Sequence, residues 1–331
     1  MIRGSKLIRR LTCMIGLGML LLCLGPLAIV SAGESAAAAN ISIKLDGEKV
    51  KLADSVLVLK GRTYVPAAPI ARLFGANASW DNEYEELTLH TALNDTVVFG
   101  NGVPVVYFNE DRYRMDSFPF MNDGRLYVPL RQLADVLHAD LKWNTESDVV
   151  ELESVPLEAV TEERGLEQIG KEYGIGKGEL LSRNGLDGKA KLKSGMKLKV
   201  VIPSFLGAPA AAFTDADLRL LAKITMVEAG NESYEGQLAI ANVILNRVND
   251  SRFPDTIRGV IYSGKQFPPA HNGLLDKSKP SATALRAAKD ALNGKNNVEA
   301  AVYFFNPAVS RGPFWNGLDV VAKIGSHSFA K

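Results

Sequence analysis

The first half of the chain contains one stretch of sequence twice. Residues 61–91 read GRTYVPAAPIARLFGANASWDNEYEELTLHT, and residues 124–154 read GRLYVPLRQLADVLHADLKWNTESDVVELES. The copies align at an offset of 63 residues without a gap, and ten of the 31 aligned pairs are identical. Duplication of one supersecondary unit explains such self-similarity. The two copies are therefore expected to fold alike and to pack against each other.

Each copy has the same internal order of structural signals. A short strand ends at a proline that starts a helix, and an alternating strand follows the tryptophan. Upstream, the sequence ISIKLDGEKVKL alternates on both sides of Asp46-Gly47, which predicts a β-hairpin. Trp80 and Trp143 are predicted to be core residues, with a surface for sugar stacking as the alternative.

These features resemble the copper amine oxidase N-terminal-like domain, a β-rich stalk module of secreted bacterial proteins. The repeated Arg-x-Tyr-Val-Pro and Trp-Asp/Asn carry the resemblance, which predicts a stalk domain over residues 40–155. The module's name does not imply copper here, because His90 and His138 are isolated in the sequence and lack the spacing of metal ligands.

Residues 156–203 differ in sequence pattern from the two repeats that precede them. They contain a short amphipathic segment, a glycine turn, a second apolar segment and a closing strand. EYGI, ELLSRNGL, LKSGMKL and VVIP resemble a LysM module, a βααβ unit that binds N-acetylglucosamine-containing glycans. The usual Gly-Asp-Ser/Thr helix start is replaced by Arg164-Gly165-Leu166, so a capping side chain is absent. A folded spacer is the alternative, and residues 204–213 are predicted to be a linker.

The N-terminus indicates export. Residues 1–32 contain four basic residues, an apolar run and Val30-Ser31-Ala32, the layout of a cleavable signal peptide. An uncleaved N-terminal anchor is the alternative. After cleavage no stable membrane span is expected, and the mature chain would lack cysteine, since Cys13 and Cys23 both lie in this segment. Cysteine nucleophiles and thiolate zinc sites are thereby excluded.

The overall composition is that of a globular protein, with 47% hydrophobic and 23% charged residues. The formal net charge of +1 provides no basic field for nucleic acid. The four histidines are too scattered to predict a metal site, and no cofactor is expected.

The C-terminal third places a glutamate where a surface residue is not expected. Thr214 and Asp217 form a capping box before an apolar helix, Gly230 is a helix stop, and Ser233 can cap the next helix. Glu228 falls on the apolar face of the first helix, four residues after Ile224. Burial there would raise its carboxyl pKa and favour a general acid. The alternative is an ion pair with a basic residue such as Arg247.

Ordered blocks of sequence in residues 214–331 resemble the SleB/CwlJ-type cell-wall hydrolases. The blocks are EAGNESYEGQLAIANVILNRV, SRFPDTIRGVIYSGKQF, AAKDALNG, AVYFFNP and KIGSHSFAK. The resemblance implies a mostly helical, lysozyme-like catalytic domain with Glu228 as the catalytic acid. One departure is Gly230-Asn231, where the family usually has Arg-Gly. The predicted fold class is therefore multidomain α+β: a duplicated β-rich stalk, a βααβ module and a helical catalytic domain.

The resemblance also implies an activity like that of a lytic transglycosylase. Glu228, as general acid and base, would cleave peptidoglycan glycan strands between N-acetylmuramic acid and N-acetylglucosamine, and ordinary hydrolysis is the alternative. The expected locations are the cell wall or the spore envelope, with an accessory germination or wall protein as an unidentified partner. A non-catalytic wall-binding or spore-structural protein that retains the fold is the alternative, because Gly230-Asn231 departs from the family pattern.

Further residues are candidates for the sugar groove. Glu232 is a candidate substrate or supporting residue, whereas Glu235 fits the first turn of the next helix. Aromatic rings can stack on sugars and amides can hydrogen-bond to them, although each of these residues can equally be structural. The remaining candidates for substrate binding are Gln266, Phe267, Tyr303, Asn306 and Trp315.

Overall fold

The computed structural model describes residues 36–144, 146–190 and 192–331. The predicted signal peptide, residues 1–32, lies outside the described residues. Within the described ranges, no helix has the length and apolar character needed to cross a membrane.

The first half is rich in short strands. The strands are β1 (Ala37–Ala39), β2 (Ser42–Leu45), β3 (Glu48–Lys49), β4 (Val56–Leu59), β5 (Arg62–Pro66), β6 (Asn77–Asp81), β7 (Glu86–His90), β8 (Thr96–Gly100), β9 (Val105–Phe108), β10 (Asp111–Arg114), β11 (Phe120–Asn122), β12 (Arg125–Pro129), β13 (Ala139–Asn144) and β14 (Val149–Ser154). The helices are α1 (Ala67–Leu73) and α2 (Leu130–Val136).

The two sequence copies adopt the same elements at the same offset of 63 residues. In each copy a strand that ends at Pro66 or Pro129 is followed at once by a helix. The copies interlock, because β5 and β12 pair antiparallel in the centre of the sheet β1-β4-β5-β12-β11. A single hydrophobic core contains residues of both copies, and we call this unit the repeat domain.

Two sequence predictions for the repeat domain have different outcomes. The hairpin at Asp46-Gly47 is confirmed, since β2 and β3 pair antiparallel and both turn residues have positive φ. Trp80 packs partly buried against the core, and its indole N–H donates to Asn82 Oδ1 at 2.9 Å. The prediction for Trp143 is wrong: this side chain is 42% exposed. Its strand partner Val150 is fully buried, so Trp143 lies where the core face meets solvent.

The next segment forms a small βααβ unit. Strands β15 (Glu158–Ala159) and β16 (Lys197–Leu198) pair antiparallel and flank the helices α3 (Leu166–Tyr173) and α4 (Lys177–Arg183). Gly165 precedes α3 without a side-chain cap, as the sequence predicted. The Gln168 side chain compensates by accepting a hydrogen bond from the Gly165 N–H at 3.2 Å.

Buried polar contacts join this βααβ unit to the repeat domain. Asp95 is 1% exposed and accepts hydrogen bonds from Arg183 at 2.8 Å and Lys199 at 2.6 Å. His138 Nδ1 lies 2.9 Å from Val155 O, and its Nε2 accepts from the Val200 N–H at 2.9 Å. These contacts require a neutral His138, and burial lowers its pKa.

The predicted linker, residues 204–213, is packed against the repeat domain. A 3₁₀ turn at Ser204–Gly207 inserts Phe205 into the repeat-domain core, where its ring lies 5.7 Å from that of Phe108. Farther along, Ala208 and Ala210 exchange backbone hydrogen bonds with β10. The segment therefore lies along the edge of a sheet.

The C-terminal part is mainly helical. Its elements are α5 (Asp215–Ala229), α6 (Tyr234–Val248), α7 (Ile257–Tyr262), α8 (Leu274–Lys277), α9 (Ala282–Leu292), α10 (Pro313–Asn316), β17 (Tyr303–Phe305), β18 (Val320–Ile324) and β19 (His327–Ala330), with a 3₁₀ turn at Pro268–Ala270. Helices α5, α6, α7 and α9 share one hydrophobic core. The strands form a small antiparallel sheet in the order β17-β19-β18 beside α6.

Candidate active site

The site is built at the junction of α5 and α6. Thr214 caps α5 by accepting from the Asp217 N–H at 3.1 Å, and the Asp217 carboxylate accepts from the Thr214 N–H at 3.0 Å, as a capping box requires. Ser233 caps α6 through the Gly236 N–H. Both predicted helix starts are confirmed. The chain turns sharply between Ala229 and Ser233, directly after Glu228.

Glu228 occupies the last turn of α5 and forms no ion pair within the described part of the chain. Its Oε1 is buried and has no hydrogen-bond partner among the described residues. Burial raises the pKa of this carboxyl above its ordinary value, because the charged form loses its hydration. The Glu228 carboxyl therefore keeps its proton at a higher pH than a free glutamate does.

The alternative of an ion pair between Glu228 and Arg247 is wrong. Arg247 is 5% exposed and donates from Nε to Val302 O at 2.7 Å. Its guanidinium lies 5.2 Å from the centre of the Phe253 ring and 5.4 Å from that of Phe267. Burial lowers its pKa to about 10. Aromatic rings thus surround this arginine.

Glu232 follows four residues later and is held tightly. Its Oε1 accepts hydrogen bonds from the Ser326 N–H at 3.1 Å and from the Ser326 hydroxyl. His327 Nδ1 lies 3.4 Å from the same oxygen. The hydrogen bonds from Ser326 lower the pKa of the Glu232 carboxyl, so that this group stays ionised.

Two glycines make room for Glu232. A Cβ added to Gly325, where φ is +57°, would lie 1.8 Å from Glu232 Oε2. A Cβ added to Gly236 would lie 2.8 Å from Glu232 Cβ. At either position the Glu232 side chain would have to shift to admit a Cβ. The Gly325-Ser326 turn between β18 and β19 is therefore in close contact with the α5–α6 loop.

Glu228 and Glu232 line one open cleft of about 340 Å³. Asn306, Ser326 and His327 also line this cleft, together with the apolar Met226. The cleft thus combines a carboxyl with one buried oxygen that has no hydrogen-bond partner among the described residues, an ionised carboxylate and several hydrogen-bonding groups. Sequence reasoning had proposed Glu228, Glu232 and Asn306 as site residues, and the structure brings these three together.

Gln266 and Phe267 do not belong to this cleft wall. Gln266 is exposed elsewhere on the domain. Phe267 is 1% exposed and packs in the helical core, with its ring 6.3 Å from that of Phe304. Stacking on a sugar needs a free ring face, so the proposed binding role of Phe267 is corrected in favour of its structural alternative.

Tyr303 and Trp315 belong to a row of aromatic side chains. The Tyr303 ring lies 5.7 Å from that of Phe314, and Trp315 lies 5.0 Å from Phe314 and 5.1 Å from Phe305. Tyr303 and Trp315 are half-buried, whereas Phe314 is 56% exposed. Sequence reasoning missed Phe314, although it precedes Trp315 directly.

Sequence reasoning also missed Ser326 and His327. Their block, KIGSHSFAK, resembles the family but does not by itself indicate a role for either residue. The signal was present as two apolar strands around a Gly-Ser pair, which predicts a hairpin turn. Only the fold places that turn against Glu232, some ninety residues earlier in the chain.

Comparison with known proteins identifies two regions. A family model described as Cell Wall Hydrolase matches residues 231–330, and one described as Copper amine oxidase N-terminal domain matches residues 44–152. Cell wall hydrolase CwlJ of Bacillus subtilis is 30% identical over 123 residues, which are 35% of this chain and 85% of that protein. The chain belongs to the cell wall hydrolase family.

Further relatives of this chain are named spore cortex-lytic enzymes. The Bacillus subtilis protein is 41% identical over 119 residues, which are 36% of this chain and 39% of that enzyme. The chain thus spans about two fifths of the length of that relative. A solved structure, the catalytic domain of the germination-specific lytic transglycosylase SleB from Bacillus anthracis, is 35% identical over 36% of this chain and 98% of that one, with a TM-score of 0.35.

Proposed function

We propose that this cell wall hydrolase cleaves peptidoglycan glycan strands between N-acetylmuramic acid and N-acetylglucosamine, with Glu228 as the general acid. The observation that carries the proposal is the buried, unpartnered Oε1 of Glu228 beside an open cleft. A carboxyl in such a position holds its proton at a pH where a free glutamate is ionised. The similarity to spore cortex-lytic enzymes supports the choice of substrate.

The proposed reaction needs one proton donor. Glu228 protonates the glycosidic oxygen as the bond from C1 of the muramic acid to that oxygen breaks. The 6-hydroxyl of the same sugar then forms a bond to C1, and the Glu228 carboxylate takes the hydroxyl proton, which restores the acid. The product is a 1,6-anhydro sugar, and the intramolecular attack lowers the entropic cost.

Glu232 has a supporting role in this proposal. Ser326 keeps its carboxylate ionised and fixes its position in the same cleft. A fixed negative charge stabilises the positive charge that develops at C1 in the transition state. If water were the nucleophile, Glu232 would be the first candidate for its general base.

The remaining domains are proposed to act at the same envelope. The βααβ unit would bind N-acetylglucosamine-containing glycans, in the manner of a LysM module. A cleft of about 300 Å³ supports this assignment, because the start of α3 lines it together with Gly188, Ala190 and Leu192. Residues 1–32 would direct secretion, so that the protein works in the cell wall or spore envelope.

The decisive experiment is mass spectrometry of the muropeptides released from purified peptidoglycan and from decoated spores. Anhydro-muramic ends are expected from the wild-type protein, and no release is expected from Glu228→Gln. Reducing ends would instead show that water is the nucleophile. Absence of release from both substrates would overturn the catalytic proposal and favour a wall-binding protein.

The glycan-binding proposal has its own test. Gly188→Phe places a ring in the cleft of the βααβ unit, where a Cβ at this position has no neighbour within 4 Å. In a Glu228→Gln background, binding to insoluble peptidoglycan should weaken by about tenfold. Gly178→Phe is the control, since its Cβ is equally free but lies outside the cleft. Equal binding of both variants would contradict a glycan site in this cleft.

A further inference from the structure

The repeat domain and the helical domain meet at a surface of opposite charges. On the repeat-domain side, Glu85 and Glu86 lie at the start of β7. On the helical side, Arg286 contacts Glu85 and Lys289 contacts Glu86, each with a nitrogen–oxygen distance of 2.6 Å. The Arg286 and Lys289 side chains are only 11% and 22% exposed. Unlike solvent-exposed surface pairs, such partly buried charges are costly to leave without a partner.

Arg112 of β10 makes a second set of contacts with the end of α9. Its guanidinium donates to Asn293 Oδ1 at 3.0 and 2.6 Å and to Leu292 O at 3.3 Å. These acceptors lie at the helix C-terminus, where a cation is favoured by the helix dipole. The same guanidinium donates to Ala211 O at 2.8 Å and lies 4.1 Å from the centre of the Phe213 ring. Arg112 therefore ties α9 and the connecting segment to one strand.

Two glycines leave room for side chains of the opposite domain. Gly102 has a φ of +72°, and a Cβ there would lie 2.9 Å from Lys295 Cε. Lys295 Nζ donates to Asn101 O at 2.7 Å. Gly294 has a φ of +88°, and its Cβ position lies 3.3 Å from Pro104 Cγ. The two domains are thus complementary in shape as well as in charge at this contact.

The contact surface continues to the start of α6. Arg286 lies 4.0 Å from the centre of the Tyr234 ring and Lys295 lies 4.9 Å from it. The Tyr234 hydroxyl donates to the buried Asp290 Oδ2 at 2.5 Å. Tyr234 directly follows Ser233, the cap of α6. The cations that contact the repeat domain therefore also contact the first residue of the helix that follows the α5–α6 loop.

We infer that the repeat domain is a docked support for the catalytic domain and not a freely moving stalk. Its partner is α9 of the same chain: Glu85 and Glu86 contact the cationic face of this helix, and Arg112 contacts its C-terminal end. The second copy carries Asp148 and Val149 at the positions of Glu85 and Glu86. These two residues take no part in the contacts with α9, and Asp148 is exposed. The charge pairing with α9 is therefore a property of the first copy and not of the second.

Charge exchange in the full-length chain tests the inference. Glu85→Lys with Glu86→Lys places like charges opposite Arg286 and Lys289, and adding Arg286→Glu with Lys289→Glu restores opposite charges. We expect the wild type to unfold in one calorimetric transition, the first variant in two, and the fourfold variant in one again. Small-angle X-ray scattering should show an increased radius of gyration for the first variant alone.

Asp148→Lys is the control at the equivalent position of the second copy, because it reverses one acidic charge, as each of the two first-copy substitutions does. Its unfolding and scattering should equal those of the wild type. A single transition and an unchanged radius for Glu85→Lys with Glu86→Lys would overturn the inference. Recovery of the wild-type behaviour by the fourfold variant would support docking, since damage within one domain is not repaired by a second charge change. These readouts do not depend on catalytic activity.

Discussion

Glu228 and Glu232 lie four residues apart and line the same cleft, but their surroundings differ. Glu228 belongs to a helix whose packing buries one carboxyl oxygen without a partner. Glu232 lies in the turn that follows, where Ser326 supplies two hydrogen bonds to one oxygen. The pKa of the first carboxyl is raised by burial and that of the second is lowered by hydrogen bonding.

The difference shows how one short loop can present an acid and an anion side by side. Two carboxyl groups whose pKa values are shifted in opposite directions can take different roles at one pH. A helix end supplies the buried position, and a distant hairpin turn supplies the hydrogen bonds. The following variants test this division, in order of decreasing expected effect.

Glu228→Gln should have the largest effect. The amide keeps the shape of the side chain but cannot donate a proton to a leaving group, so muropeptide release should fall by about a thousandfold. The measurement is the initial rate of release from purified peptidoglycan, with circular dichroism to establish that the variant is folded. A residual rate within tenfold of the wild type would exclude Glu228 as the general acid.

Gly325→Ala should have the next largest effect, through Glu232. The added Cβ would overlap Glu232 Oε2, so the carboxylate must leave its hydrogen bonds with Ser326. We expect release to fall by about ten- to a hundredfold, because misplaced catalytic groups lose orientation. Gly264→Ala is the control, since it has a similar φ of +60° but no neighbour within 4 Å. Equal losses in both variants would point to backbone strain instead.

Glu232→Gln should change the pH dependence more than the maximal rate. In the wild type, release should decline above the raised pKa of Glu228, where the acid is lost, and below the lowered pKa of Glu232, where the anion is lost. The variant should lose the acidic decline and retain the alkaline one, with a maximal rate about tenfold lower. The test is the rate of muropeptide release measured from about pH 3 to pH 9, a range that includes the ordinary glutamate pKa of about 4.3. An unchanged acidic decline would remove Glu232 from the proposed role.

The smallest expected effect is on stability. A raised folded-state pKa means that Glu228 stabilises the fold fully below its unfolded pKa of about 4.3, and that this contribution is lost as the pH rises through the folded pKa. Glu228→Gln should therefore be more stable than the wild type at pH 8, by up to about 1 kcal/mol, and equal to it near pH 3. Urea unfolding at both values tests this, with the exposed Glu299→Gln as control. If Glu228→Gln were less stable than the wild type at pH 8, the Glu228 carboxylate would not be an uncompensated charge.

Local signals in the sequence were sufficient for much of the fold. The duplication predicted matching elements at an offset of 63 residues, and Thr214 and Ser233 predicted the starts of α5 and α6. Predictions that depended on burial were less reliable. Aromatic side chains occur both in cores and on surfaces that stack against sugars. Phe267 was expected at the sugar groove but lies in the core, whereas Trp143 was expected in the core but is exposed. Composition and spacing do not reveal how far a core extends.

The sequence by itself determined where the helices around Glu228 begin and that this carboxyl lies on an apolar face, because caps and periodicity act within a few residues. Only the tertiary structure decided that Arg247 turns away to aromatic rings and that Ser326 reaches Glu232. It also decided that Glu85 and Arg286, about two hundred residues apart, form an ion pair. The physical reason is that desolvation and charge pairing depend on which distant segments pack together, and local sequence patterns do not contain that information.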